Sequence, residues 1–86
     1  MDTQKLIAEY IETGPELGPE SARLVDSGVD VWVLVMYYQR AANQEVAVVA
    51  HDYYIPVEAV EAVLAYYEEH KDAIDARVTS NLGAAA

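Results

Sequence analysis

Few residues in this chain have chemistry to offer. His51 and His70 are the only histidines, and there is no cysteine. Neither histidine stands at a zinc-like spacing from a second strong ligand, so no metal site is expected. Both read as surface or capping residues. Carboxylates are grouped at Glu68-Glu69 and at Asp72 with Asp75. At helical spacing these form a solvated face, and nothing marks one of them as a buried acid or base. Ser21, Ser27 and Ser80 have no nucleophile motif around them, and the four glycines fall in turns or the tail rather than in a phosphate loop. The chain is therefore not expected to be an enzyme or to hold a cofactor.

The tyrosines carry more information. Tyr37-Tyr38, Tyr53-Tyr54 and Tyr66-Tyr67 are adjacent pairs. Neighbours on a helix point about 100° apart, so one of each pair is expected in the core and the other at its rim. A rim tyrosine is a good anchor for a protein partner. It also stacks on bases, but nucleic acid needs cations beside it. Here 15 acids face five basic residues, for a formal net charge of -10. Lys5, Arg23, Arg40, Lys71 and Arg77 are spread along the chain. A basic protein is the better electrostatic match, and DNA is disfavoured.

These residues must be positioned by elements that an 86-residue chain can form. That length makes one small domain. Hydrophobic residues make up 53% of it, enough to fold, with no run long enough to span a bilayer. Lack of cysteine and of a secretory pattern fits a cytoplasmic location. The organising stretch is Tyr53 to Asn81. Pro56 opens a helix to about His70, and a second helix follows from Lys71 to about Ser80. Val57, Val60, Val63, Leu64 and Tyr67 form its apolar stripe, opposite Glu58, Glu61, Ala65, Glu68 and Glu69. Whether residues 56–80 form one helix or two is left open, with a bend possible near Lys71.

Upstream, residues 2–13 predict a helix capped by Asp2 or Thr3 and stopped by Gly14-Pro15. A Gly/Pro loop completes an N-terminal segment over residues 1–21. Arg23–Val25 and the residues from Val29 predict a small hairpin around Asp26-Ser27-Gly28, paired with another element or with its twin in a dimer. Asp30 caps a buried helix from Val31 to about Ala41, with a strand as the rival for Val31–Val35. Glu45–His51 predicts a short helix. Together these make a mainly α fold: a three- to five-helix bundle of helix-turn-helix type over residues 22–81, with a short N-terminal β-hairpin or strand shared in a dimer. Residues 82–86 are expected to be a disordered tail.

The order of strand, turn, VWVL helix and short helix continues into I-P-x-E-x-V-x-A-x-L-A-Y-Y-x-x-H-x-x-x-I-D-A. This pattern resembles the family catalogued as domain of unknown function 433, many members of which resemble VapB-type antitoxins. Arg23, Leu24, Val29 and Val31 to Leu34 carry the first part. Val46, Ala47, Asp52, Tyr53, Pro56, Glu58, Val60, Ala62 and Leu64 to Tyr67 carry the second, with His70, Ile74 and Asp75. The resemblance spans about Ala22 to Arg77 and leaves the first helix outside. It departs at Asp26-Ser27-Gly28, where the family commonly has Gly-Thr and then an Arg.

The resemblance implies a homeodomain-like helix-turn-helix, a homodimer, and stoichiometric occlusion of a PIN-domain ribonuclease toxin. In that scheme Tyr66, Tyr67, His70, Ile74, Arg77 and Val78 are the expected toxin contacts, with Ile74 to Leu82 as a flexible clamp. Leu24, Val25, Val29 and Trp32 are the expected dimer interface. Arg23, Arg40, Tyr53 and Tyr54 are what the chain could offer DNA in the alternative role of a transcriptional regulator. The groove-facing helix in that role would start at Pro56, which has no Lys or Arg before Lys71 and so lacks phosphate cations and base-edge donors. The remaining alternative is an orphan helical dimer.

Overall fold

The computed structural model of the protein describes residues 3–14 and 18–85, with side chains to residue 81. The Asp2 cap, the Pro15 stop and the side chains of residues 82–86 lie outside it. Five α-helices and two short strands follow in order: α1 (Thr3–Tyr10), β1 (Ile11–Glu12), β2 (Arg23–Leu24), α2 (Val31–Arg40), α3 (Val46–Tyr53), α4 (Val57–Glu69) and α5 (Lys71–Ala85). A 3-10 turn at Pro19–Ser21 precedes β2. The protein is mainly α, with a two-stranded antiparallel sheet near its N-terminus.

α4 is the centre. It packs against α1, α2, α3, α5 and β1. Ala59, Val60, Ala62, Val63, Tyr66 and Tyr67 are buried on it. Alternating alanines let neighbouring backbones approach, and the valines fill the gaps between them. Val57, expected in the stripe, is 43% exposed, because it sits at the first turn beyond the covering helices. Glu58, Glu61, Glu68 and Glu69 face water as their spacing predicts.

The strand pairing differs from the expected hairpin. β2 pairs with β1, in register Ile11 with Leu24 and Glu12 with Arg23. Residues expected to end the first helix thus turn extended, and Val25 N–H reaches Tyr10 O at 3.0 Å. The turn at Asp26-Ser27-Gly28 does form, with Gly28 at φ 73° and Leu24 N–H donating to Val29 O at 2.9 Å. β2 therefore lies between β1 and the returning Val29–Asp30 segment. Isolated, the hairpin is too short to persist; the third segment and burial of Ile11 and Leu24 hold it.

α2 is helical over its whole valine-rich stretch. Asp30 is its N-cap, extended at φ -67° and ψ 138°, and its carbonyl accepts from Val33 and Leu34. Val31, Leu34 and Val35 are buried at spacings of three and four, so packing outweighs β-branched preference. α4 and α5 are two helices. His70 leaves the helical region at φ -132° and ψ 36°, while its carbonyl accepts from Ile74 N–H at 3.1 Å and so starts the next helix. The backbone of α5 continues to Ala85, beyond the expected end near Ser80, which makes residues 82–85 helical rather than a frayed tail.

The core closes within one subunit. Leu34, Ile74, Val31, Val35, Val49, Val60 and Val63 are its largest fully buried side chains. Apart from Val25, Tyr54 and Val57, the large apolar side chains among the described residues are at least partly covered within the subunit.

Candidate protein-binding groove

Three large apolar side chains are exposed among the described residues: Val25 at 48%, Tyr54 at 94% and Val57 at 43%. Two of them, Val25 and Tyr54, border one groove. Leu24, Ile55, Pro56 and Ala59 also line it, and its volume is about 300 Å³. α1 supplies Glu9 and Tyr10, the β2 turn supplies Val25, Asp26 and Ser27, and the α3–α4 turn supplies Tyr54. The strand pairing that draws Tyr10 beside Val25 creates this juxtaposition.

The α3–α4 turn is built on an unusual residue. Tyr54 ends α3 in the left-handed region at φ 56° and ψ 46°. Its N–H donates to Ala50 O and His51 O, and Ile55 N–H donates to Ala50 O at 3.0 Å. This is the capping arrangement that usually takes glycine. A bulky side chain there costs roughly 1–2 kcal/mol. Pro56 then turns the chain into α4 as its N-cap.

The groove's electrostatics are uniform in sign. Burial raises the Tyr10 phenol above its ordinary value, and the charges of Glu9, Glu58 and Asp26 raise it further. Three carboxylates from three segments thus bear on one aromatic side chain.

The residues expected to meet a toxin are placed elsewhere, mostly inside. Tyr66, Tyr67, Ile74 and Val78 are buried, so they are not surface anchors. Both members of the Tyr66-Tyr67 pair enter the core, because α4 is covered on several sides instead of one. Tyr66 Oη donates to Pro19 O at 2.9 Å and pins the 3-10 turn. Tyr67 Oη donates to Asp75 Oδ1 at 2.6 Å and accepts from Gln39 Nε2 at 3.3 Å, joining α2, α4 and α5. His70 is half-buried, its ring 4.4 Å from that of Tyr66. Arg77 is exposed yet lies over Trp32, 5.4 Å from the ring centroid. The expected clamp is thus an integral helix of the fold. We expect Tyr66→Phe to lower unfolding free energy by about 1 kcal/mol, the worth of one hydrogen bond, as read by urea titration.

The expected dimer residues divide. Leu24 is buried inside its own subunit, which takes it out of any interface. Val25 is exposed, and Val29 and Trp32 are half-buried. Of the residues offered to DNA, Arg23 and Arg40 are exposed but on different elements. Tyr53 is half-buried, edge-on to Tyr37 at 5.0 Å. α3 and α4 pack against each other across a short turn, but the outward face of α4 presents glutamates, which repel phosphate.

One further polar cluster is visible. Asp52 accepts from Tyr37 Oη and lies 3.1 Å from His51 Nδ1. The bonds from Tyr37 and His51 hold its carboxyl below the usual value. The cluster ties α3 to α2 at the surface. Among the described residues, no group of three or more His, Asp or Glu could hold a metal ion, and no helix is long and apolar enough to cross a membrane.

Against known proteins, no family model matches the chain, and neither a curated protein nor a solved structure does. The family resemblance therefore rests on the residues that carry it. Sequence reasoning singled out Leu24 and Val25 for a dimer interface and Tyr54 for DNA, and missed Glu9, Tyr10 and Ile55 as site residues. The signal for Tyr10 was there, in a tyrosine beside the β-branched Ile11, but its partner strand lies across a loop.

Proposed function

We propose that this protein is a non-catalytic binding module that holds and occludes a basic protein partner. Its specific form, taken from the resemblance, is an antitoxin-like inhibitor of a small PIN-domain ribonuclease in the cytoplasm. The observation that carries the reading is the Tyr54 groove, a largely apolar trough lined by the carboxylates of Glu9 and Asp26 on a chain of net charge -10. A cationic surface gains twice there, by burying apolar area and by meeting opposite charge. The groove is complete in one subunit, so occlusion does not need the homodimer that the resemblance implies.

Co-expression with the product of the adjacent reading frame tests this. The expected result is a stoichiometric complex that survives gel filtration, loosens as salt rises, and abolishes RNA cleavage by the partner. A neighbour that is neither basic nor a nuclease, or that forms no complex, would remove the reading. The rival role of a DNA-binding regulator has the α3–α4 packing in its favour and the glutamate face against it. A promoter fragment that shifts at low salt would favour that rival.

A further inference from the structure

A bulky aromatic residue sits at Tyr54 where glycine would be at ease, and its ring is almost wholly in water. The fold gains little from that ring. The local hydrogen bonds of the turn are made by backbone groups, which any residue with an N–H would supply. Strain kept at an exposed position points to use by something outside the subunit. The ring lines the groove together with Val25 and Tyr10. Glu9 and Asp26 line the same groove, and Glu58 is close enough to act on Tyr10.

We infer that the groove receives an arginine side chain flanked by apolar residues on an extended segment of the partner, with Tyr54 as the stacking platform. This deepens the proposed function and rests on it. Guanidinium suits the site better than ammonium. It is planar and stacks on an aromatic face while its N–H groups reach carboxylates at the edge. The apolar lining at Val25, Ile55 and Pro56 would take the flanking side chains. A second copy of this strongly acidic chain is a poor occupant, because like charges would meet.

The test uses the full chain and three acetylated, amidated tripeptides: Leu-Arg-Leu, the citrulline analogue that keeps the shape without the charge, and Leu-Glu-Leu. Backbone amide resonances are followed by NMR during titration to millimolar peptide. The arginine peptide is expected to move Tyr10, Val25, Tyr54, Ile55 and Ala59, with binding at least fivefold tighter than the citrulline analogue and no effect from the glutamate peptide. Tyr54→Gly is expected to weaken arginine-peptide binding at least fivefold without lowering the thermal midpoint, which separates a binding role from a structural one. Equal binding of arginine and citrulline, shifts centred elsewhere, or no shifts would overturn the inference. So would a Tyr54→Gly protein that melts earlier and binds unchanged. The protein complex gives a separate answer: one that forms with the wild-type chain and is undiminished by Tyr54→Gly refutes the groove's role while leaving the proposed function standing. Failure of any complex to form refutes that function instead.

Discussion

Ile74→Ala lowers the thermal midpoint by at least about 8 °C. Ile74 is fully buried, on the helix that packs against α2 and α4. Truncating a buried isoleucine to alanine costs about 2–5 kcal/mol, from lost burial and the cavity left behind. In a domain of this size, each kcal/mol moves the midpoint by about 4–8 °C. The loss is a large part of the roughly 5–15 kcal/mol that holds a small domain together. Arg77→Ala is the control on the same helix. It removes an exposed cation over Trp32, worth about 0.5–1 kcal/mol, and moves the midpoint far less. Had Ile74 to Leu82 been a flexible clamp, Ile74→Ala would weaken a partner and leave the melting curve alone. Circular dichroism melts of the variants decide between these outcomes.

Raising the pH unfolds the protein together with ionisation of its buried phenols. Four tyrosines resist losing their protons in the folded state. For Tyr37 the hydrogen bond to Asp52 is the main cause, with burial second. For Tyr66 burial leads, followed by the charges of Glu20 and Glu69. For Tyr67 burial leads again, and the bond donated to Asp75 adds to it, while the bond from Gln39 acts the other way. Tyr10 is raised by burial and the groove carboxylates. Each folded-state value lies above the unfolded value of about 10, so above that pH the folded chain binds more protons than the unfolded one. Stability is fully present below about pH 10 and falls as pH rises through the folded values. Tyrosinate absorbance is expected to appear in two stages, the later one coinciding with loss of the helical circular dichroism signal. All seven tyrosines ionising together near pH 10 with helicity intact would overturn this.

Much of the architecture was legible along the chain. The helix at Val31–Arg40 behind Asp30 and the exposed glutamates of α4 follow from short-range spacing, whereas one helix or two over residues 56–80 was left open and the backbone at His70 decided it. Val31, Leu34 and Val35 are a helical face however the helix is later used. By contrast, Ile11–Glu12 is continuous with a helical pattern, and its extended form comes from a partner across the Gly/Pro loop. The Tyr66-Tyr67 pair was misassigned for a related reason. The 100° between neighbours says which way each ring points, but not how many sides of α4 are covered.

Periodicity in this chain specifies the helices, their order and the acidic surface, because those depend on residues within a few positions of one another. The fate of each apolar side chain, inside or outside, and the meeting of Tyr10, Val25 and Tyr54 in one groove were decided only when α1, β2 and the α3–α4 turn packed together. That meeting depends on contacts between residues distant in the chain, whose closeness no local spacing encodes.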